Sequence, residues 1–403
     1  MKVNIKPSRL KGEVTAPPSK SMSHRLLICA GLSQGKSKIK NIAFSEDISA
    51  TVDCLKAMGA EVKIGGDSVI VTGTLPKKAE TVFNCRESGS TLRFFIPVAM
   101  LSEGSSLFTG YGRLMERPMQ VYENIAKERN ISYEKNSDGI NVGKGLTSGR
   151  FILPGDVSSQ FVSGLLFALP LCSGDSEIEL TGNIESRSYI DMTLEAMSLF
   201  GVEAFWKNDN TLFVTGNQKY KSASLTVEGD YSNGAFLDAF NYLGSQVTVR
   251  GLDKNSLQGD KVYREYFSLL RQGTPELDIK NCPDLAPIIM TLAAANNGCK
   301  LINTRRLRIK ESDRGAVMAQ ELSKFGAKIT VLENEIIIDK AELYTPKDDL
   351  YCHNDHRVVM SLSVLASRYG GRLNGAEAVK KSFPDFFSRV KALGMEVEII
   401  DNQ

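Results

Sequence analysis

Leu55-Lys56-Ala57-Met58-Gly59-Ala60-Glu61-Val62 leads through Gly65-Gly66-Asp67 to Val69-Ile70-Val71, and the order of elements in this stretch decides the fold. An amphipathic helix stops at Gly59, a short strand follows, the Gly-Gly-Asp turn reverses the chain, and a β-branched strand returns. The same helix-to-hairpin unit recurs at Leu199-Phe200-Gly201-Val202-Glu203-Ala204, turning at Asn208-Asp209-Asn210. It recurs again at Phe325-Gly326-Ala327-Lys328-Ile329, turning at Glu333-Asn334-Glu335. Weaker copies surround Asn130, Gly273 and Gly394, so the six markers stand 71, 71, 72, 53 and 68 residues apart. That period exceeds those of the familiar solenoids and fits a whole supersecondary unit of sheet and helices. A chain of 403 residues is also too long for one ordinary core, so three units fall to each of two α/β domains.

A second feature keeps the same rhythm. Ser- or Asp-rich turns run straight into unusually apolar helices at Ser19-Lys20-Ser21, Ser88-Gly89-Ser90-Thr91, Ser158-Ser159-Gln160, Asp230-Tyr231-Ser232, Pro283-Asp284 and Asn354-Asp355-His356. Segments such as Leu165-Leu166-Phe167-Ala168-Leu169 and Ile288-Ile289-Met290-Thr291-Leu292 are apolar nearly all round, which predicts burial, three such helices per domain. Each Ser or Asp reads as an N-cap for the otherwise orphan N–H groups of the first turn. Buried parallel helices would also present partly positive N-termini together, a place for phosphate or carboxylate, with a cleft between the domains as the natural location of chemistry.

Composition narrows the chemistry. Hydrophobic residues at 42% and charged residues at 24% are those of a soluble globular protein, and the N-terminus lacks the apolar core of a signal peptide, so the chain is expected in the cytoplasm, off the membrane. A formal charge of +2 recruits no nucleic acid, and seven scattered cysteines with three histidines give neither a disulfide framework nor a zinc site. Anion affinity must come from local clusters. Lys20 and Arg25 stand at the first helix start, Arg93 at the second and Arg357 at the sixth, with Arg117, Lys310, Arg314 and Lys381 at other junctions. Such a set suits ligands with two phosphates and more than one carboxylate. Asp284 and Glu311 sit among these cations and can exchange protons with a substrate; equally, Asp284 can cap a helix and Glu311 can pair with Arg314 three residues along one.

Seven segments in order carry a resemblance: Pro18-Ser19-Lys20-Ser21-Met22-Ser23-His24-Arg25, Ser88-Gly89-Ser90-Thr91-Leu92-Arg93, Arg113-Leu114-Met115-Glu116-Arg117-Pro118, Ser158-Ser159-Gln160-Phe161, Lys310-Glu311-Ser312-Asp313-Arg314, Asn354-Asp355-His356-Arg357 and Lys381-Ser382-Phe383-Pro384-Asp385. Over essentially the whole chain they resemble the family of 5-enolpyruvylshikimate-3-phosphate (EPSP) synthase. The resemblance implies two inside-out α/β domains, each of three βαβαββ-type repeats around buried parallel helices, with the active site in the interdomain cleft. It implies one domain of residues 14–227 and another of 1–13 with 228–403. It implies transfer of the enolpyruvyl group of phosphoenolpyruvate to the 5-hydroxyl of shikimate 3-phosphate by addition and elimination, by a monomer without metal or organic cofactor.

By the same resemblance Lys20, Ser21, Arg25, Ser158, Ser159, Ser186, Tyr189, Asp284 and Lys310 would hold shikimate 3-phosphate. Lys20, Gly89, Arg117, Gln160, Arg314, Arg357 and Lys381 would surround phosphoenolpyruvate, and Asp284, Glu311 and Lys20 would carry protons. Two departures stand out. Glu87 precedes Ser88-Gly89-Ser90 where many members have Asn-Ala-Gly-Thr, and Ser186-Arg187-Ser188-Tyr189 lacks the Pro often found before its Tyr. The sister transferase acting on UDP-N-acetylglucosamine normally carries a Cys before its Arg-Pro, whereas Tyr111 to Pro118 has none and Lys20 is followed by Ser rather than Asn. A non-catalytic anion-binding scaffold is the alternative of a different class.

Overall fold

The computed structural model describes residues 1–75 and 80–400. Helix α1 (Lys20–Leu32) begins at Ser19, whose Oγ accepts from the Met22 N–H at 3.3 Å, and is buried from Met22 to Leu32. The strand Lys36–Lys40 follows, then α2 (Glu46–Met58), which Gly59 ends at φ 107°, a left-handed conformation that costs glycine nothing. The hairpin Glu61–Gly65 and Ser68–Thr72 turns through Gly66-Asp67, with Gly65 opposite Ser68, and Val69 and Val71 point into the core. This sheet takes its fourth strand, Ser224–Thr226, from far along the chain, parallel to Lys38–Lys40.

The next two repeats are continuous. Glu80–Asn84, α3 (Gly89–Ala99), Ser105–Thr109, α4 (Gln120–Glu128) and the hairpin Tyr133–Lys135 with Ile140–Val142 form a βαβαββ unit whose sheet places its strands in the order first, second, fourth, third. Gly149–Pro154, α5 (Ser159–Ala168), Ser176–Thr181, α6 (Arg187–Leu199) and the hairpin Ala204–Trp206 with Thr211–Val214 repeat it. Together these residues make one compact unit, Pro18–Glu228, with its own hydrophobic core.

The second unit is Met1–Pro17 with Gly229–Gln403 and has a separate core. The strand Lys11–Thr15, α7 (Tyr231–Tyr242), the parallel strand Gln246–Arg250 and α8 (Tyr263–Gln272) form a shortened repeat. After Gly273 the chain makes no hairpin: Glu276–Asp278 already belongs to the next sheet. The copy expected around Gly273 is therefore truncated, which explains why the spacing to Gly326 is 53 residues rather than about 70. Complete units follow: α9 (Ala286–Ala294), Cys299–Ile302, α10 (Arg314–Ser323) and the hairpin Lys328–Val331 with Glu335–Asp339. In the last, α11 (His356–Tyr369), Gly371–Asn374, α12 (Phe386–Ala392) and Val397–Ile400 lack a central strand, which Lys2–Ile5 supplies.

The chain passes between units at Pro17–Pro18 and Glu228–Gly229. The first crossing lies beyond residue 14 because Lys11–Thr15 is a full strand paired with Gln246–Arg250. Helices α1, α3 and α5 in one unit and α7, α9 and α11 in the other are the buried ones; in α9 every residue is buried. Burial of each large apolar side chain contributes about 1.5–3 kcal/mol, so an exposed charge is accommodated more readily at the helix starts and the loops beside them than in the middle of these helices. Among the described residues no helix is long and apolar enough to cross a membrane, and no group of three or more His, Cys, Asp or Glu could hold a metal ion.

Candidate active site

In the unit Pro18–Glu228 the capping serines behave as local physics requires. Ser19, Ser88 and Ser158 each accept a backbone N–H of the first turn of α1, α3 and α5. Lys20, first in α1, donates from Nζ to the Asp47 carboxylate at 2.7 Å, and both side chains are mostly buried. Gln160, in the first turn of α5, accepts from Arg93 Nη1 at 2.7 Å and donates to Ser90 Oγ at 2.9 Å. The Arg93 guanidinium lies 4.9 Å from the centre of the Phe161 ring. The Nη1 atom of Arg117 comes within 2.6 Å of where a β-carbon on Gly89 would stand, so Gly89, Arg93, Arg117 and Gln160 form one cluster.

Arg25 is committed to the protein. Its Nε donates to Thr193 Oγ1 at 2.8 Å, Nη1 to the Ser21 carbonyl at 2.7 Å and Nη2 to the Tyr189 carbonyl at 2.8 Å. Burial pulls its pKa down to about 10, so it stays charged at neutral pH. Three of the five guanidinium donors are used, two in tying α1 to α6 and one within α1, which leaves at most two for a ligand. Ser186, buried at the start of α6, holds φ 57°, a conformation non-glycine residues seldom adopt.

In the other unit Arg314 is the hub. Its side chain is 1% exposed and donates to Asp284 Oδ1 at 2.7 Å, Glu311 Oε2 at 2.6 Å and Asp355 Oδ2 at 2.8 Å. Burial works against its charge, but Asp355, Glu311 and Asp284 together hold its pKa well above the ordinary value. Asp284 also accepts from Arg357 Nη2 at 2.9 Å and lies 3.4 Å from Lys310 Nζ. Lys310 is pulled below the usual lysine range, first by burial and then, against the pull of Asp284, by Arg314 and Arg306. Lys381 donates to the Asn354 carbonyl at 2.7 Å, beside the Asp355 cap of α11.

Two local readings are corrected here. Asp284 does not cap α9, which follows a 3-10 turn, Pro283–Leu285, without a side-chain cap; its carboxylate faces three cations instead. Glu311 does pair with Arg314, but from the loop that precedes α10 rather than along a helix.

A family model described as EPSP synthase (3-phosphoshikimate 1-carboxyvinyltransferase) matches residues 5–390. A Clostridium kluyveri protein named 3-phosphoshikimate 1-carboxyvinyltransferase is 41% identical over 419 residues, covering 98% of each chain. The chain belongs to the EPSP synthase family. A Clostridium perfringens protein of the same name is also 41% identical, with 98% of each chain covered. An EPSP synthase structure from Acinetobacter baumannii shares the fold, with a TM-score of 0.79 at 22% identity, over 99% of this chain and 100% of that one.

Within this EPSP synthase family member, sequence reasoning passed over Asp47 and the role of Asp355 as a partner of Arg314. Asp47 follows Ser45 and Glu46 and reads as an ordinary acidic first turn. The Glu87 side chain packs where a β-carbon on Gly112 would lie, which sets its carboxylate on the loop that leads to Arg117.

Proposed function

We propose that this chain transfers the enolpyruvyl group of phosphoenolpyruvate to the 5-hydroxyl of shikimate 3-phosphate and releases phosphate. The observation that carries the proposal is the convergence of Asp284 and Glu311 on Arg314, with Lys310 and Arg357 beside them. Addition forms a bond between the hydroxyl oxygen and C2 of phosphoenolpyruvate while a proton reaches C3. Elimination then breaks the C2–O bond to phosphate as a proton leaves the new methyl group. Both steps need a carboxylate that accepts a proton and an acid that returns one, held in a fixed cationic frame. Asp284 and Glu311 have that chemistry, and Lys20 is a third proton carrier.

Shikimate 3-phosphate is assigned to Lys20, Ser21, Arg25, Ser158, Ser159, Ser186, Tyr189, Asp284 and Lys310. Phosphoenolpyruvate is assigned to Lys20, Gly89, Arg117, Gln160, Arg314, Arg357 and Lys381. The helix starts add N–H groups and a favourable dipole for these anions. Arg25, with most of its donors engaged, holds the Tyr189 carbonyl as much as it holds a ligand. The proposal extends to a monomer acting in the cytoplasm, and a light-scattering mass of a single chain checks the first part. Phosphate release is the test of activity: it should require both substrates together, and UDP-N-acetylglucosamine should not replace shikimate 3-phosphate. Release with either substrate alone, or none with both, would refute the assignment.

A further inference from the structure

Helix α10 opens at Arg314 and carries Glu321 about two turns further on, so the two side chains share one face of the helix. Both are buried. That face grips the segment from Tyr351 to Asp355 at two points. At one, Arg314 Nε donates to Asp355 Oδ2 at 2.8 Å. At the other, Glu321 Oε2 accepts from the Tyr351 N–H at 2.9 Å and from Lys324 Nζ at 2.7 Å, while Glu321 Oε1 lies 3.2 Å from His353 Nε2. A carboxylate oxygen only accepts, which places the His353 ring proton on Nε2. A buried carboxylate is costly unless its oxygens are partnered, and here both are.

Between the two grips the backbone is strained. His353 holds φ 48° and Asn354 φ 55°, two successive side-chain-bearing residues in the left-handed region. Even one such residue is uncommon, and it persists where its surroundings over-determine it. The Asp355 N–H closes the turn onto the Cys352 carbonyl at 2.9 Å, and Glu321 anchors the residues on either side of Cys352. The turn carries a frame of cations. Its Asn354 carbonyl accepts from Lys381 Nζ at 2.7 Å. Asp355 accepts from Arg314, from Ser312 Oγ at 3.0 Å and from the Arg357 N–H at 2.9 Å. Lys381, Arg314 and Arg357 are the cations of this unit assigned above to phosphoenolpyruvate.

We infer that Glu321, acting through His353, is a positioning residue for phosphoenolpyruvate: it fixes the left-handed turn whose carbonyl and carboxylate hold Lys381 and Arg314 in place. Asp284 and Lys310, the shikimate 3-phosphate ligands proposed in this unit, come from other segments, so the effect falls first on the donor. The inference rests on the enzymatic reading above.

The His353 side chain is 32% exposed, so His353→Ala removes the contact without opening the core. KM for phosphoenolpyruvate should then rise about 2- to 10-fold, the worth of one hydrogen bond, while KM for shikimate 3-phosphate stays within about twofold of the parent. His353→Gln, whose amide N–H reaches toward the same oxygen, should recover most of the loss. Glu321→Gln should raise the same KM, and His353→Ala added to it should change little further, since both variants remove one contact. Amide hydrogen exchange across residues 350–357 of the ligand-free protein reads the turn without turnover: it should quicken in His353→Ala and return toward the parent rate in His353→Gln. The inference is overturned by an unchanged KM for phosphoenolpyruvate in His353→Ala, by an equal rise for both substrates, or by a Gln variant no better than Ala. Additive effects in the double variant, or unchanged exchange in His353→Ala, overturn it too. A parent protein that releases no phosphate defeats the enzymatic reading instead, while the exchange result still judges whether Glu321 holds the turn.

Discussion

Replacing Gly89 by Ala should separate binding from stability, because the added β-carbon meets the Arg117 side chain while the backbone needs no change. Gly89 is the first residue of α3, and its φ lies outside the left-handed region, so the backbone accepts Ala without strain. The added β-carbon would stand 2.6 Å from Arg117 Nη1, 3.2 Å from Arg93 Nη1 and 3.6 Å from Gln160 Oε1. To regain an ordinary contact of 3.4 Å, the Arg117 tip must retreat by about 0.8 Å. A charge-assisted hydrogen bond stretched that far is lost, at a cost of about 1.5–3 kcal/mol. That energy corresponds to a rise in KM for phosphoenolpyruvate of about 10- to 150-fold. Folding stability should hold or improve slightly, since Ala suits a helix better than Gly. Steady-state kinetics against each substrate, with urea denaturation alongside, makes the measurement. A well-folded variant with an unchanged KM for phosphoenolpyruvate would remove Arg117 from that subsite, and a large loss of stability would show the glycine to be structural.

Lys20→Met should abolish phosphate release and also destabilise the fold by roughly 1–3 kcal/mol, because it strands the buried Asp47 carboxylate; adding Asp47→Asn should restore stability in urea titrations but not activity, and a fully stable single variant contradicts the pairing. Glu311→Gln keeps the shape while removing charge and acid, so turnover should drop by roughly 10²–10⁴-fold with substrate affinity little changed; turnover near the parent rate leaves Asp284 as the sole carboxylate in the mechanism. His24 is held neutral by burial, with Lys20 and Arg25 adding to the effect, so its folded pKa lies well below 6.5. Its contribution is present above pH 6.5 and is lost as pH falls, since the unfolded chain then binds a proton that the folded chain refuses; thermal melts of His24→Gln should be less acid-sensitive than those of the parent, and identical slopes below pH 6.5 would refute this.

What the sequence made legible was local. Ser19, Ser88, Ser158 and Asp230 cap their helices through bonds spanning two or three residues, so composition and order reveal them. The hairpin after Gly59 is legible for the same reason, since its turn and both strands are contiguous. Asp284 was ambiguous because its partners Arg314 and Arg357 lie 30 and 73 residues away, and no periodicity encodes such a pairing. Asp47, 27 residues from Lys20, was hidden likewise. The truncated repeat at Gly273 did leave a trace, the short spacing to Gly326, but a spacing alone does not say which strands are missing. The resemblance supplied the candidate list, and geometry then ranked it: Arg25 proves tied down and Arg314 proves a hub.

Strand sharing at the chain's beginning has a consequence for biosynthesis. The residues of Lys2–Ile5 leave the ribosome long before Gly371–Asn374 and Val397–Ile400, the two strands between which they must insert. Pro18–Glu228, by contrast, closes its first sheet as soon as Ser224–Thr226 emerges to meet Lys38–Lys40. The inserted unit can thus mature while the leading segment still waits, unpaired, for Gly371–Asn374 and Val397–Ile400 to emerge. Its alternation of Lys2 and Asn4 with Val3 and Ile5 leaves only two core-facing side chains exposed during that wait, a modest burden for a strand that must remain soluble until its neighbours arrive.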